Sequence, residues 1–168
     1  MKKRGSYSRK ITVMAMFVSI GIVLQYAESK ILITPLPGGK LGLANIVTIC
    51  NIFMLGGKNA VMISIIRAFL GTMLSTGVSA LPYSMLGALF STVSMCLVKK
   101  YMFPKVSVIG MSVIGASVHN LTQILVAGAF FSSGYIFSYL PALLLISVAS
   151  GGLTGYFAQS LVNRIEKG

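Results

Sequence analysis

The sequence has no aspartate, and its only acidic residues are Glu28 and Glu166. It has one histidine, His119, and it contains neither a Walker motif nor a dinucleotide-binding fingerprint. A lone histidine without a carboxylate partner cannot form a catalytic triad. Because the Walker motif is missing, any ATP-driven step must come from other subunits. We therefore predict that this chain is not an enzyme and has no cofactor or metal site.

Charged residues are also scarce. They make up 10% of the 168 residues, far below the ~25% of a soluble domain. Hydrophobic residues make up 55%, and the mean hydropathy is +0.88. This composition predicts an integral membrane protein. The two cysteines, Cys50 and Cys96, lie in apolar runs, which is typical of buried inert thiols rather than of a disulfide or a metal site.

The charge that is present is almost all positive, with fourteen Lys and Arg and a net charge of +12. In a soluble domain this excess would indicate nucleic-acid binding. In a membrane protein, basic residues concentrate instead on the cytoplasmic side. We therefore expect the lipid bilayer, and no nucleic acid, as the surroundings of this chain.

A membrane span needs ~20 mostly apolar residues. The sequence predicts an all-α bundle of six transmembrane helices, two of them short, so that the bilayer around them must adapt. We expect one domain over residues 11–162, a basic cytoplasmic tail over 1–10 and a short cytoplasmic tail over 163–168. The predicted spans are 11–27, 41–56, 59–76, 78–98, 106–131 and 136–161.

The distribution of basic residues tests this count. With the N-terminus inside, eleven of the fourteen fall on the cytoplasmic side, two in outer loops and one within a span. This bias fits an even number of helices with both termini in the cytoplasm of a bacterial cell. The eleven are Lys2, Lys3, Arg4, Arg9, Lys10, Lys58, Lys99, Lys100, Lys105, Arg164 and Lys167.

The stretch SVHNLTQIL in the fifth predicted helix carries unusual polar groups. At ~3.6 residues per turn, His119, Asn120 and Gln123 fall on one face together with small residues. Polar side chains within a span usually face the bundle interior or a watery cavity. This face lines a ligand cavity or, alternatively, forms a polar zipper with a neighbouring helix.

The third predicted helix carries Arg67 on a stripe with small and hydroxyl residues. Arg67 lies ~13 Å along the span, at ~1.5 Å per residue, and therefore near mid-membrane. We expect no acid at this depth, with Glu28 near the outer surface and Glu166 near the inner one. Arg67 must then pair with backbone carbonyls, amide oxygens, water or an anionic ligand; the alternative is that it only locks the bundle.

Two more sites lie near the ends of helices. Lys40 and Asn45 mark the start of the second helix, whose free amides and positive dipole end attract anions; alternatively, Lys40 only reaches the headgroups. The preceding connection, 28–40, caps a cavity or simply joins two helices. On the first helix, Ala15 and Ser19 form a small-xxx-small pair that allows close approach of a helix, within the protein or from a partner.

Four segments carry a family resemblance: PLPGGKLGLANIVTI, ISIIRAFLGTML, LPYSMLGALFSTVSM and VIGASVHNLTQILVA. Together, and in this order, they resemble the heptaprenyl diphosphate synthase component I family, also called the Gx transporter family, over roughly 10–160. Members of that family are similar to the substrate-binding S components of energy-coupling factor transporters. The resemblance implies six helices with an outward-opening ligand cavity beneath the first outer loop.

The resemblance leads to a first functional hypothesis, a substrate-binding transporter subunit for a small anionic or amphiphilic metabolite. Lys40, Asn45, Arg67, His119, Asn120 and Gln123 would contact this ligand. The Ala15 and Ser19 face would contact a transmembrane coupling protein driven by ATPases, as the resemblance implies.

Two alternatives remain. Prenyl elongation requires Mg²⁺ held by aspartate-rich motifs, so the family name would describe at most an accessory subunit of a prenyl synthase in menaquinone synthesis. The chain could instead be a non-transporting membrane anchor of a redox assembly, with its polar faces packed shut.

Overall fold

The computed structural model describes residues 2–31, 42–131 and 134–167. Within these ranges the chain forms six α-helices, two short 3₁₀ turns and no strand. The predicted all-α class and the six helices are therefore confirmed. The helices are α1 (Lys2–Ile31), α2 (Leu43–Met54), α3 (Gly57–Ser75), α4 (Leu81–Tyr101), α5 (Val108–Phe131) and α6 (Leu140–Lys167).

Four helical segments are long and apolar enough to cross a membrane, which supports the prediction of a membrane protein. They are Ser8–Lys30, Val78–Tyr101, Val108–Phe130 and Gly134–Ile165. The second helix, α2, is apolar but only 12 residues long. In α3, which has 19 residues, the polar side chains of Lys58, Asn59 and Arg67 lower the hydropathy.

The first helix is longer than predicted at both ends. Residues 2–10, which we assigned to a tail, continue α1, and its other end extends past 27 to Ile31. Glu28 therefore lies on the helix, where its side chain is only 4% exposed. The last turn of α1 packs into the bundle and buries this side chain, although Glu28 lies near the end of the helix.

Short connections make α2, α3 and α4 successive antiparallel neighbours. Gly56 (φ 81°) and Gly77 (φ 88°) lie at the two turns, in a backbone region that residues with a Cβ seldom adopt. Apolar side chains of five helices pack together at the end of the bundle that carries Lys58, Lys99 and Lys100. This core contains Ile49, Ile52, Ala60, Met95, Val98, Val108, Met111, Ala158 and Val162.

The fifth and sixth helices approach each other closely at two glycines. A Cβ placed on Gly151 would lie 2.8 Å from Val113 Cα, and one on Gly155 would lie 2.7 Å from Ile109 Cα. A small-xxx-small pair therefore lets the backbones of α5 and α6 touch, which is how helices associate in lipid. This contact fixes the position of α5, the helix that carries His119.

Candidate functional site

A cavity of ≈ 40 Å³ lies at the end of the bundle opposite the apolar core. Five helices, α1 to α5, contribute to its wall. The described lining residues are Gln25, Glu28, Gly42, Ala44, Asn45, Arg67, Ala68, Ser84, Ala88, Ala116, His119 and Asn120. Four residues predicted from sequence to bind substrate therefore meet at one site, although they lie on three helices.

Arg67 belongs to α3, and its side chain extends to α1 and is 5% exposed. A Cβ on Gly21 of α1 would lie 3.0 Å from Arg67 Cγ and would contact Cδ more closely. Gly21 is therefore the position that lets the arginine pass across α1. Arg67 Nη1 donates to Gln25 Oε1 at 3.0 Å, so an amide oxygen, one of the expected partner types, is confirmed.

Gln25 continues this contact into a chain of hydrogen bonds across three helices. Its Nε2 donates to Thr72 Oγ1 at 3.2 Å, and Thr72 Oγ1 donates to Ser84 Oγ at 2.6 Å. Gly71 makes room for the amide, because a Cβ there would lie 2.8 Å from Gln25 Cδ. The chain holds the Gln25 amide in one orientation and links Arg67 to the wall formed by α4.

Glu28 overturns the expectation that no acid lies near Arg67. Both residues line the cavity, and an attractive electrostatic interaction connects them. The Glu28 carboxylate also accepts the amide N–H groups of Gly42 at 2.7 Å and Leu43 at 3.2 Å. It thus caps α2 from a neighbouring helix, so the predicted anion site at this helix start contains the protein's own carboxylate.

The start of α2 depends on a glycine. Gly42 has φ 71°, a left-handed conformation that glycine adopts without steric strain. A Cβ there would also lie 3.2 Å from Asn45 Nδ2. Asn45, which the sequence predicts to contact the ligand, is 8% exposed and lines the cavity. Lys40, the other residue predicted at this helix start, lies outside the described residues.

The polar face of α5 divides between two neighbours. Asn120 Nδ2 donates to Ser147 Oγ of α6 at 2.8 Å, as in the predicted polar zipper, and Asn120 also lines the cavity. The His119 ring packs on α4, where a Cβ on Gly87 would lie 3.0 Å from its Cε1. Gln123 is buried beside the same glycine and is not among the described lining residues.

Ala15 and Ser19 lie on the exposed outer face of α1. The Ser19 hydroxyl donates to Ala15 O within the same helix, at 3.0 Å. Large apolar side chains surround the pair on this face, including Met16 and Val23, which are 59% and 65% exposed. The pair therefore makes no close helix contact within the described bundle, and the surface faces lipid or a partner.

Three lining residues were not predicted from the sequence: Gln25, Glu28 and Ser84. One signal was present, because Gln25 is a strongly polar residue inside the first predicted span, and such residues usually face the bundle interior. Glu28 was placed beyond the end of that span, so its proximity to Arg67 was not expected. Ser84 carried no signal, because single serines are common in membrane helices.

The chain matches a known protein family. Residues 17–161 match the family model described as heptaprenyl diphosphate synthase component I. A search of curated proteins found no match. A search of solved structures also found none.

Proposed function

Because this chain belongs to the heptaprenyl diphosphate synthase component I family, and because its polar cavity is built around a buried arginine, we propose that it is the substrate-binding membrane subunit of a transporter. All six helices cross the bilayer, with both termini in the cytoplasm, in an arrangement similar to an S component. The ligand is a small polar or amphiphilic metabolite. Partner subunits supply the energy, because the sequence has no ATP-binding motif.

The observation that carries this proposal is the incomplete pairing of Arg67. A guanidinium has five N–H donors, and within the described residues only one hydrogen bond, to Gln25, is formed. Arg67 Nε is buried without a hydrogen-bond partner in the same ranges. Leaving a buried charged donor unsatisfied is destabilising. A ligand with an oxygen acceptor would remove that penalty.

The position of the cavity supports uptake from outside. Glu28, Asn45 and Ser84 lie near the helix ends opposite to those that carry Lys58, Lys99 and Lys100. Basic ends of membrane helices face the cytoplasm, so the cavity belongs to the outer half of the bundle. Its ≈ 40 Å³ corresponds to about three or four water-sized groups, at 10–15 Å³ each, which is enough for the head group of a metabolite.

The test is a ligand screen on the purified protein in lipid nanodiscs, read by thermal unfolding and native mass spectrometry. We expect at least one small metabolite to raise the unfolding temperature of the native protein. Arg67→Met should abolish this shift, and Arg164→Met, which replaces an exposed arginine of α6, should preserve it. Ligand binding that survives Arg67→Met would refute this role for the cavity.

The redox-anchor alternative predicts a different result. Arg67 would then only join α1 to α3 through Gln25, and no metabolite would stabilise the native protein in the screen. Arg67→Met would change the unfolding temperature without any ligand-specific loss.

The family name favours a second candidate, an accessory subunit of a prenyl synthase. The chain has no aspartate, so a partner would have to supply the metal-binding carboxylates for prenyl transfer. Co-purification with an aspartate-rich soluble synthase, and shortened quinone side chains in a deletion strain, would support this role. Unchanged quinone length and content would argue against it.

A further inference from the structure

We propose that the cavity recognises an uncharged amide-type head group, with a carbonyl acceptor beside an N–H donor, in preference to a carboxylate or a diphosphate. The inference rests on the proposed function, because it specifies the ligand of the same cavity. It follows from the charge of the cavity wall and from the direction of each hydrogen bond in it.

The charge of the wall is the first argument. Arg67 and Glu28 both line the cavity, so the described part of its wall carries one charge of each sign. An anionic ligand would gain the attraction of Arg67 but would also meet the repulsion of Glu28, and both effects are strong in a buried site. A diphosphate carries several negative charges, so its net interaction is the least favourable.

Hydrogen-bond direction fixes the donor side of the cavity. Arginine can only donate, so Gln25 uses its oxygen for Arg67 and its Nε2 for Thr72. Thr72 then gives its one proton to Ser84 Oγ. Ser84 lines the cavity, and no described residue accepts the proton of its hydroxyl group. Ser84 is therefore a donor for an oxygen of the ligand.

The opposite wall supplies an acceptor by the same reasoning. Ser147 gives its one proton to Leu143 O at 2.7 Å, so its oxygen can only accept from Asn120. This contact turns Asn120 Nδ2 towards α6 and leaves Oδ1 without a hydrogen-bond donor among the described residues. Asn120 lines the cavity, and its Oδ1 therefore suits an N–H of the ligand.

Asn45 complements both sides. Its side chain lines the cavity and makes no hydrogen bond to any residue in the described ranges, although it is only 8% exposed. A buried amide in native proteins almost always has a partner. Its NH₂ group can donate to the carbonyl of the ligand's amide while its own carbonyl accepts the ligand's N–H. The cavity thus offers donors from Arg67, Ser84 and Asn45, and acceptors from Asn120 and Asn45.

The experiment compares three probes of nearly equal shape: benzamide, benzoate and acetophenone. Binding to the wild-type protein in nanodiscs is measured by calorimetry or by competition, with Arg67→Met in parallel. Benzamide has both the acceptor and the donor, benzoate replaces the donor by a charge, and acetophenone, with a methyl group in place of the NH₂, lacks the donor. We expect benzamide to bind about tenfold or more tightly than either analogue, because each leaves buried polar groups unpaired.

A matched pair of variants assigns the effect to the cavity. Ser84→Ala should weaken benzamide binding about tenfold, the usual effect of losing one buried hydrogen bond. Ser75→Ala should have no effect, because Ser75 bonds to Gly71 O within α3 and is not a lining residue. Unfolding temperatures of both variants show whether the fold is preserved.

The outcomes separate the two proposals. Arg67-dependent binding in which benzoate equals or exceeds benzamide overturns the amide assignment and leaves the transport role intact. Absence of Arg67-dependent binding for all three probes, and for every metabolite in the wider screen, overturns both. A benzamide preference that Ser84→Ala leaves unchanged also refutes the assignment, because the donor side would then lie elsewhere.

Discussion

Replacing Gly155 by alanine should separate α5 from α6. The added Cβ would lie 2.7 Å from Ile109 Cα and 2.9 Å from Ser112 Cβ. Carbon atoms in favourable contact are about 3.5–4.0 Å apart, so the helices must move apart by about 1 Å. Because Ile109 Cα belongs to the helix backbone, no side-chain rotation can relieve the clash.

The magnitude follows from the packing. Overpacking of this kind destabilises proteins by about 1–3 kcal/mol. The shift would also lengthen the Ser112–Thr154 hydrogen bond, now 3.0 Å, between two fully buried hydroxyls. Without a hydrophobic force between helices in lipid, close packing is a main source of their association. We therefore expect the free energy of unfolding to fall by about 2–3 kcal/mol.

The neighbouring glycine provides the control. Gly152 is on the same helix, and a Cβ there would meet no atom within 4 Å, so alanine should stabilise α6 by up to about 1 kcal/mol. Both variants are measured by reversible SDS titration in mixed micelles. If Gly155→Ala and Gly152→Ala have equal free energies of unfolding, the account of the α5–α6 contact is wrong.

Three other substitutions test contacts around the bundle. Glu28→Gln should lower the free energy of unfolding by about 1–3 kcal/mol in the same titration, because one amide N–H at the start of α2 loses its acceptor; Glu166→Gln is the comparison. Gly21→Ala should displace Arg67 and weaken ligand binding as Arg67→Met does, measured by calorimetry, and unchanged affinity would contradict the described path of the arginine. Lys99→Met should lower stability by about 1–2 kcal/mol, because the ammonium donates to a carbonyl of α2 and lies 4.0 Å from the centroid of a phenylalanine ring; retention of full stability would refute this.

Much of the fold could be predicted, because each long apolar stretch of a membrane protein's sequence forms a helix. All six predicted spans overlap an observed helix, and the turns fall near Gly56 and Gly77, where the sequence changes from apolar to small and polar. The ends were less accurate. Helix α1 continues through Glu28 because nothing in its last turn breaks a helix, whereas apolarity ends earlier. Hydropathy detects the membrane interior, while backbone hydrogen bonding continues beyond it.

The site could be predicted only in part. The helical periodicity of α5 predicted His119 and Asn120, because polar side chains within a membrane span are costly and therefore easy to recognise. It did not separate residues facing α4 from residues facing α6, because that depends on where each neighbour packs. The contact of Arg67 with Gln25 was equally hidden, since it requires Gly21 and Gly71 to let α1 and α3 approach. Such distances depend on pairs of helices, and a single helix does not determine them.

The bonds from Glu28 to the start of α2 have a consequence for variation of the chain between them. They hold together the two ends of the connection formed by residues 32–41, so the helices keep their spacing whatever that connection contains. The free-energy cost of closing a loop rises by only ~0.6 kcal/mol for each doubling of the loop's length. Insertions and replacements in 32–41 should therefore be tolerated by the bundle. Related chains could therefore replace this connection, one end of which meets the cavity at Gly42, on an unaltered scaffold.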